Sequence, residues 1–207
     1  MDALGFVPVT LIPALAIIGA YLLGSVAFGI VVSKLFGLPD PRTVGSGNPG
    51  ATNVLRSGKK VAAILTLLGD AIKGFLPVWF ALQSDMLMWV VASIGIAVFL
   101  GHLYPIYYKF KGGKGVATAL GVMLALSLLL GLAALLTWII IFAASRYSSL
   151  GAIVSAALAP LYAWFLLMPY KDYVIAVTVM SLLLIWRHKV NIQKLLDGTE
   201  SGFGKKK

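Results

Sequence analysis

Apolar residues fall into six long stretches, approximately 8–33, 61–82, 86–108, 115–145, 149–168 and 171–187, separated by short polar segments. Several contain windows of about 20 residues with at most one or two charges, the helix length that a hydrocarbon core ~30 Å thick requires. The stretch 115–145 is longer, about 46 Å as one helix at ~1.5 Å per residue, which is too long for one comfortable span and short for two full ones. The pattern therefore predicts two short helices breaking near Ser127–Gly131 and a polytopic all-α membrane bundle of seven transmembrane helices. One strongly tilted helix, giving six crossings, is the alternative.

Sidedness follows from the excess of Lys and Arg in short cytoplasmic loops. Segment 34–60 carries Lys34, Arg42, Arg56, Lys59 and Lys60, which places it inside and the N-terminus outside. The turn Gln83–Asp85 has no basic residue, and the next loop contains Lys109, Lys111 and Lys114. Seven crossings also put Arg146 and the C-terminal basic tail inside, leaving Lys73 within a span and Lys171 in an outer turn as the exceptions among 17 basic residues.

Composition agrees with this picture. Hydrophobic residues make up 60% of the 207 and charged residues 12%, against ~25% charged in soluble domains, which excludes a water-soluble globular fold. The loops are too short for a second compact unit, so residues 1–200 read as one transmembrane domain followed by a basic tail, 201–207. There is no cysteine, so disulfides, thiolate metal sites and cysteine nucleophiles are excluded. Two histidines and seven scattered acids show no metal-ligand spacing. Asp2 and the absence of a basic run at residues 1–5 predict that the first apolar stretch is retained and not cleaved.

Under this topology the long polar stretches 42–60, 101–118 and 187–200 share the cytoplasmic face. In the first, Gly45, Gly47 and Gly50 match G-x-G-x-x-G, but a transmembrane helix precedes them where a dinucleotide site needs a strand. The segment instead predicts a loop feeding a short helix, with Asn48 as N-cap, Pro49 at its first position and Gly58 past its end. Such an N-terminus suits a phosphate, and Thr52, Arg56 and Lys59 or Lys60 would add a hydroxyl and positive charge on one face. A turn holding basic residues at anionic lipid is the alternative.

The second stretch lacks the spacing of a nucleotide-binding P-loop. Gly112, Gly113 and Gly115 could still form a backbone nest for an anion beside Lys114, while its tyrosines fit an interfacial belt. His102 reads as structural. In the third, Ile192, Leu195 and Leu196 recur at helical spacing, predicting an interfacial helix ending at Gly198. His188 and Asn191 would share a face turned toward the other loops, and Glu200 could pair with their cations. Asp70 and Lys73, three residues apart within a span, form either a buried functional pair or a mutually neutralising structural one, the reading favoured here.

GSGNPGATNVLR, GHLYP followed by KGGKGVAT, and RH..NI..LL.G.E resemble the three signature motifs of the bacterial acyl-phosphate-dependent glycerol-3-phosphate acyltransferase family (PlsY), in the same order. YLLGS at 21–25, D-x-x-K-G at 70–74 and RYSSL at 146–150 extend the similarity over most of the chain; residues 201–207 match nothing in it. The resemblance implies transfer of a fatty acyl group from acyl phosphate to the 1-hydroxyl of sn-glycerol 3-phosphate, giving lysophosphatidic acid and phosphate. It implies no cofactor, no metal, no nucleic acid and no obligatory protein partner, with the two substrates and the bilayer as the partners, in a multi-pass bacterial inner-membrane protein whose site faces the cytoplasm.

Carried over by position, the resemblance implies Ser46, His188 and Asn191 at the reacting centre. Gly45, Gly47, Asn48, Thr52, Asn53, Arg56, Gly112, Gly113, Lys114, Gly115 and Ser149 would bind substrate. Arg56, Lys114 and Ser149 would hold glycerol phosphate, and Glu200, Asp70 and Lys73 would support the site. The H-x-x-x-x-D arrangement of many glycerolipid acyltransferases is absent, since Tyr107 and Gln193 stand five residues after His102 and His188. The resemblance implies instead the family's route, in which a donor phosphate oxygen takes the hydroxyl proton, and the missing motif fits it. A covalent acyl-Ser46 route with His188 as base, an organic-phosphate transporter and an anionic-lipid-binding protein are the rivals.

Overall fold

The structure, a computed structural model, describes residues 11–203, so the N-terminal expectations and the basic end of the tail lie outside the described residues. These residues form ten α-helices and no strand. They are α1 (Ile12–Gly24), α2 (Phe28–Leu35), α3 (Ala51–Leu55), α4 (Lys60–Gln83), α5 (Met88–Leu103), α6 (Val116–Leu126), α7 (Leu128–Ser145), α8 (Ser148–Leu167), α9 (Lys171–Arg187) and α10 (Lys189–Leu196).

Helices α4, α7 and α8, and α5 together with the turn that carries it on to Tyr108, are each long and apolar enough to cross a bilayer, and two bent pairs, α1 with α2 and α9 with α10, bring the number to as many as six. The long stretch 115–145 is broken at Ser127, whose hydroxyl accepts the Leu130 N–H and caps α7. α6, with 11 residues, spans only about half of a ~30 Å core. It leads away from the polar end of the bundle, and α7 returns to it.

One apolar stretch differs from expectation. Residues 8–33 read as one continuous span, yet α1 and α2 meet at a 44° bend. The carbonyl of Val26, freed at the break, accepts from the Lys73 ammonium of α4 (2.6 Å), and Ser25 Oγ donates to the Tyr21 carbonyl while accepting the Ile106 N–H. The partners that stabilise the bend therefore come from elsewhere in the chain, where no local signal reports them.

Packing then fixes the polar end. α4 and α6 touch backbone to backbone: a Cβ on Gly74 would stand 2.3 Å from the Thr118 carbonyl oxygen, and one on Gly121 2.0 Å from that of Ala71. Small residues permit such approach between membrane helices. The core draws on α1 and α4 to α9, with Phe99 of α5, Ala163 of α8 and Val177 of α9 nearly or fully out of contact with solvent. The start of α6, and with it Lys114, is thereby set against the end of α9.

Candidate functional site

The three polar stretches meet at one end of the bundle, around a cavity of about 520 Å³. Its mouth is polar, lined by Ser46, Thr52, Arg56, Lys114, His188 and Asn191 among others. Its stem is apolar, running between α6, α7, α8 and α9 past Met123, Leu135, Trp138, Ala156, Ala159 and Met180.

The first loop is shaped by Asn53 of α3. Its Oδ1 accepts the Ser46 N–H (2.9 Å), and its Nδ2 donates to the carbonyls of Pro41 (2.7 Å) and Val44 (3.0 Å). With the amide's two donors and one acceptor site committed to its own loop, Asn53 acts as a clamp. Gly45, at φ +59°, presses against that amide: a Cβ there would come within 2.3 Å of Asn53 Oδ1. Gly45, Ser46, Asn48 and Thr52 border the cavity, whereas Gly47 and Asn53 do not. Asn53 shapes the loop through its hydrogen bonds, and Gly47 turns within it at φ +70°.

Asn48 does not cap α3. The helix starts at Ala51 with Gly50 as its N-cap and no side-chain capping bond. The Pro49 carbonyl is drawn onto Gly29 of α2, close enough that a Cβ on Gly29 would meet it at 1.9 Å. The helix thus begins two residues later than local preference predicts, with this contact beside its start. Gly58 does terminate the following turn, at φ +84°.

The second loop behaves differently. Gly112 and Gly113 lie on His102: a Cβ would stand 2.2 Å from the His102 carbonyl oxygen at Gly112 and 2.2 Å from its Nε2 at Gly113. The Gly113 N–H donates to the His102 carbonyl (3.1 Å). Their own carbonyls accept from the Arg187 guanidinium at 3.0–3.2 Å. The Gly113 N–H is thus committed to protein, and neither Gly112 nor Gly113 lines the cavity. Gly115, at φ +86°, begins α6 at the cavity wall and turns Lys114 into the mouth.

Lys114 starts a relay. Its Nζ donates to Asn191 Oδ1, Asn191 Nδ2 donates to Glu200 Oε1 (2.8 Å), and Ser149 Oγ donates to the same oxygen (2.6 Å). Burial pushes the Lys114 pKa down from 10.5 to about 8, with Arg187, Lys194 and Arg56 adding to the shift and Glu200 opposing it. The ammonium is therefore charged at neutral pH and loses its proton in mildly alkaline solution.

His188, at the junction of α9 and α10, is 2% exposed. Its Nδ1 lies 2.8 Å from the Leu184 carbonyl. A carbonyl only accepts, so Nδ1 carries the proton and Nε2 is left as an acceptor. Burial lowers the pKa to about 4, the Leu184 hydrogen bond opposing and Lys114 adding. The ring is neutral at pH 7, and among the described residues no carboxylate orients it and no hydrogen bond joins it to Ser46.

On the opposite side, Thr52 and Ser148 share a hydrogen bond of 3.2 Å across the mouth, and Arg56 Nη2 donates to the Ser201 carbonyl (3.1 Å). Deeper in the wall, Asp70 and Lys73 form an ion pair (2.8 Å) while the Lys73 ammonium also reaches the Val26 carbonyl. His102 Nδ1 approaches Asp70 at 3.5 Å and Thr118 at 3.2 Å. Among the described residues there is no group of His, Asp and Glu arranged to hold a metal ion.

Sequence reasoning did not single out Arg187, which read as part of a basic tail, or Ser148, beside the chosen Ser149. Nothing in a charge pattern tells an arginine that braces carbonyls from one held in solvent. The apolar stem was equally hidden, because cavity-lining and lipid-facing residues have the same composition.

A family model described as glycerol-3-phosphate acyltransferase matches residues 14–198. A glycerol-3-phosphate acyltransferase of Methylobacillus flagellatus is 68% identical over 93% of this chain and 98% of its own length. One from Paraburkholderia phytofirmans is 57% identical over 91% and 89%. The crystal structure of PlsY, an integral membrane glycerol 3-phosphate acyltransferase, in its glycerol 3-phosphate form superposes with a TM-score of 0.87 at 44% identity, covering 93% of this chain and 96% of that one. Its lysophosphatidic acid form gives 0.86 at 42% identity over 93% and 95%. With a cationic mouth, an apolar stem and these relatives over nearly its whole length, the chain belongs to the glycerol-3-phosphate acyltransferase family.

Proposed function

We propose that this protein transfers a fatty acyl group from acyl phosphate to the 1-hydroxyl of sn-glycerol 3-phosphate, releasing lysophosphatidic acid and phosphate. The observation that carries this reading is the two-part cavity, cationic where Arg56 and Lys114 stand and hydrocarbon-lined where α8 descends from Ser149 to Ala159, about 15 Å of helix rise. A charged head and an acyl tail have separate environments within it, and the relatives act on the head-group substrate.

Arg56, Lys114 and Ser149 hold the phosphate of the acceptor. The donor phosphate lies against the Gly45–Ser46 backbone, Thr52 and Asn191, and its chain enters the stem. Neutral His188 accepts a hydrogen bond from the acceptor hydroxyl at Nε2 and aims its lone pair at the acyl carbon. The new ester C–O bond forms as the anhydride C–O bond breaks. An imidazole with a pKa of about 4 is a weak proton sink, whereas phosphate titrates near ~6, so the proton passes to a phosphate oxygen and leaves with it. Holding two anions in attack geometry and stabilising developing charge supply the acceleration. No Ser46–His188 bond supports a covalent acyl-serine.

The chain is a bacterial inner-membrane protein with the N-terminus outside and the site cytoplasmic, α6 and α7 serving as a short and a full passage of seven. The crowding of basic residues at the polar end supports this orientation.

Purified protein given palmitoyl phosphate and glycerol 3-phosphate is expected to release free phosphate only when both are present, and to leave palmitoyl coenzyme A unused. Phosphate release without acceptor, with a stable acyl-Ser46 peptide by mass spectrometry, overturns direct transfer. Because the chain has no cysteine, Ser84→Cys and Ser57→Cys test sidedness: an impermeant maleimide should label the first in intact cells and the second only after permeabilisation.

A further inference from the structure

The family match ends at Gly198, but the ordered chain continues across the site. Gly198 turns at φ +70°, and the N–H groups of Thr199 and Glu200 both donate to the Lys194 carbonyl (2.8 and 3.0 Å). Five residues on, the Phe203 N–H donates to the Arg146 carbonyl at the α7–α8 corner (2.9 Å). The Phe203 ring stands edge-on to Phe142, 5.5 Å between centroids, and Phe142 stacks on Trp138 of the cavity wall. Gly202 lies on the Tyr147 ring, where a Cβ would stand 3.2 Å away.

Residues 199–203 thus form a strap fixed at both ends. Between the two anchors Glu200 accepts from Ser149 and Asn191, and the Ser201 carbonyl accepts from Arg56. We propose that Phe203 is a positioning residue for acceptor binding: it anchors the strap so that Glu200 and the Ser201 carbonyl hold Lys114, through Asn191, and Arg56 in place for the acceptor phosphate. The proposal rests on the acyltransferase reading. Without the Phe203 ring packed on Phe142 the far end of the strap is tethered only by the backbone bond to Arg146, and a carboxylate on a looser segment holds Asn191, and through it the proton of Lys114, less firmly. The charges facing Lys114 would then be Arg187, Lys194 and Arg56, with Glu200 displaced.

The test compares Phe203→Ala, Phe203→Tyr and the parent by calorimetric titration with glycerol 3-phosphate over a pH series, alongside turnover with palmitoyl phosphate. Phe203→Ala should weaken acceptor binding about tenfold, the scale of one lost charge-assisted hydrogen bond, raising KM with kcat nearly unchanged. Its binding should also fail at a lower pH than the parent's. Phe203→Tyr, which keeps the ring, should restore both. The proposal is overturned if Phe203→Ala binds with the parent's affinity and pH dependence, or if it merely melts earlier with kcat reduced and KM unchanged. A parent protein that does not bind glycerol 3-phosphate sinks the acyltransferase reading itself.

Discussion

The two glycine-rich loops look alike in the sequence, each with three glycines beside basic residues, yet they meet different neighbours. In the first, Gly45, Ser46, Asn48, Gly50, Ala51 and Thr52 border the cavity while Asn53 clamps the loop from behind. In the second, Gly112 and Gly113 press on His102 and surrender their carbonyls to Arg187, and the loop delivers to the mouth one ammonium, that of Lys114, at the Gly115 turn. A glycine cluster signals close approach of the backbone; whether a substrate or another helix does the approaching is a tertiary matter. One loop borders the cavity and the other presents a charge to it.

The largest expected effect probes the second loop's single contribution. Lys114→Ala should lower kcat/KM for glycerol 3-phosphate by about 10²–10³, the scale of a lost anion-stabilising donor, with little change in the melting temperature. An unchanged rate would remove the second loop from the site.

Gly113→Ala should act through folding. Its Cβ must displace the His102 ring, at a cost of about 1–3 kcal/mol readable as a lower melting temperature in detergent. Lost substrate binding at an unchanged melting temperature would make this loop a binding surface after all and erase the contrast.

Asn53→Ala should cost a similar or smaller amount, about 1–3 kcal/mol for buried backbone groups left unpaired, and also raise KM, because the loop it releases borders the cavity. A stability loss without a KM change would make the first loop structural too.

The pH profile sharpens the comparison further. Lys114 is protonated below about pH 8, so kcat/KM should fall as pH rises through that value in the free enzyme. Glu200→Gln removes the charge that raises the lysine's proton affinity and should move this limb to lower pH. His188 stays neutral above about pH 4, so no acid limb at pH 6–7 should belong to it; a limb seen there in the parent and lost in His188→Gln would show that it did. The smallest effect is expected at Gly47→Ala, about 1–2 kcal/mol for a left-handed backbone, since a Cβ there meets only the Arg42 carbonyl oxygen at 3.5 Å.

Much of the fold was legible. Spans were readable from apolar length, and the break in 115–145 from the mismatch between 31 residues and a bilayer, with Ser127 supplying the cap. The bend after Gly24 was not, since its stabilising partner Lys73 lies 47 residues away. The N-cap assigned to Asn48 failed for a similar reason: local preference favoured it, and the contact of Pro49 with Gly29 outweighed it. In the site, the residue types fitted to an anion could be named, but clamps such as Asn53 and props such as Arg187 could not be separated from ligands, because that distinction depends on where each hydrogen bond ends.

By itself, the sequence determined the sorting of residues between lipid and water, the helical segments and the three polar motifs, because hydrophobic length and turn chemistry are local properties of the chain. Tertiary structure alone decided that Lys114, Asn191, Glu200 and Ser149 form one relay and that Arg56 meets Ser201, 145 residues away. Those pairings depend on helices brought together by glycine contacts and on a strap anchored by Phe203, and a hydrogen bond with a reach of about 3 Å leaves no periodic trace in the chain that makes it.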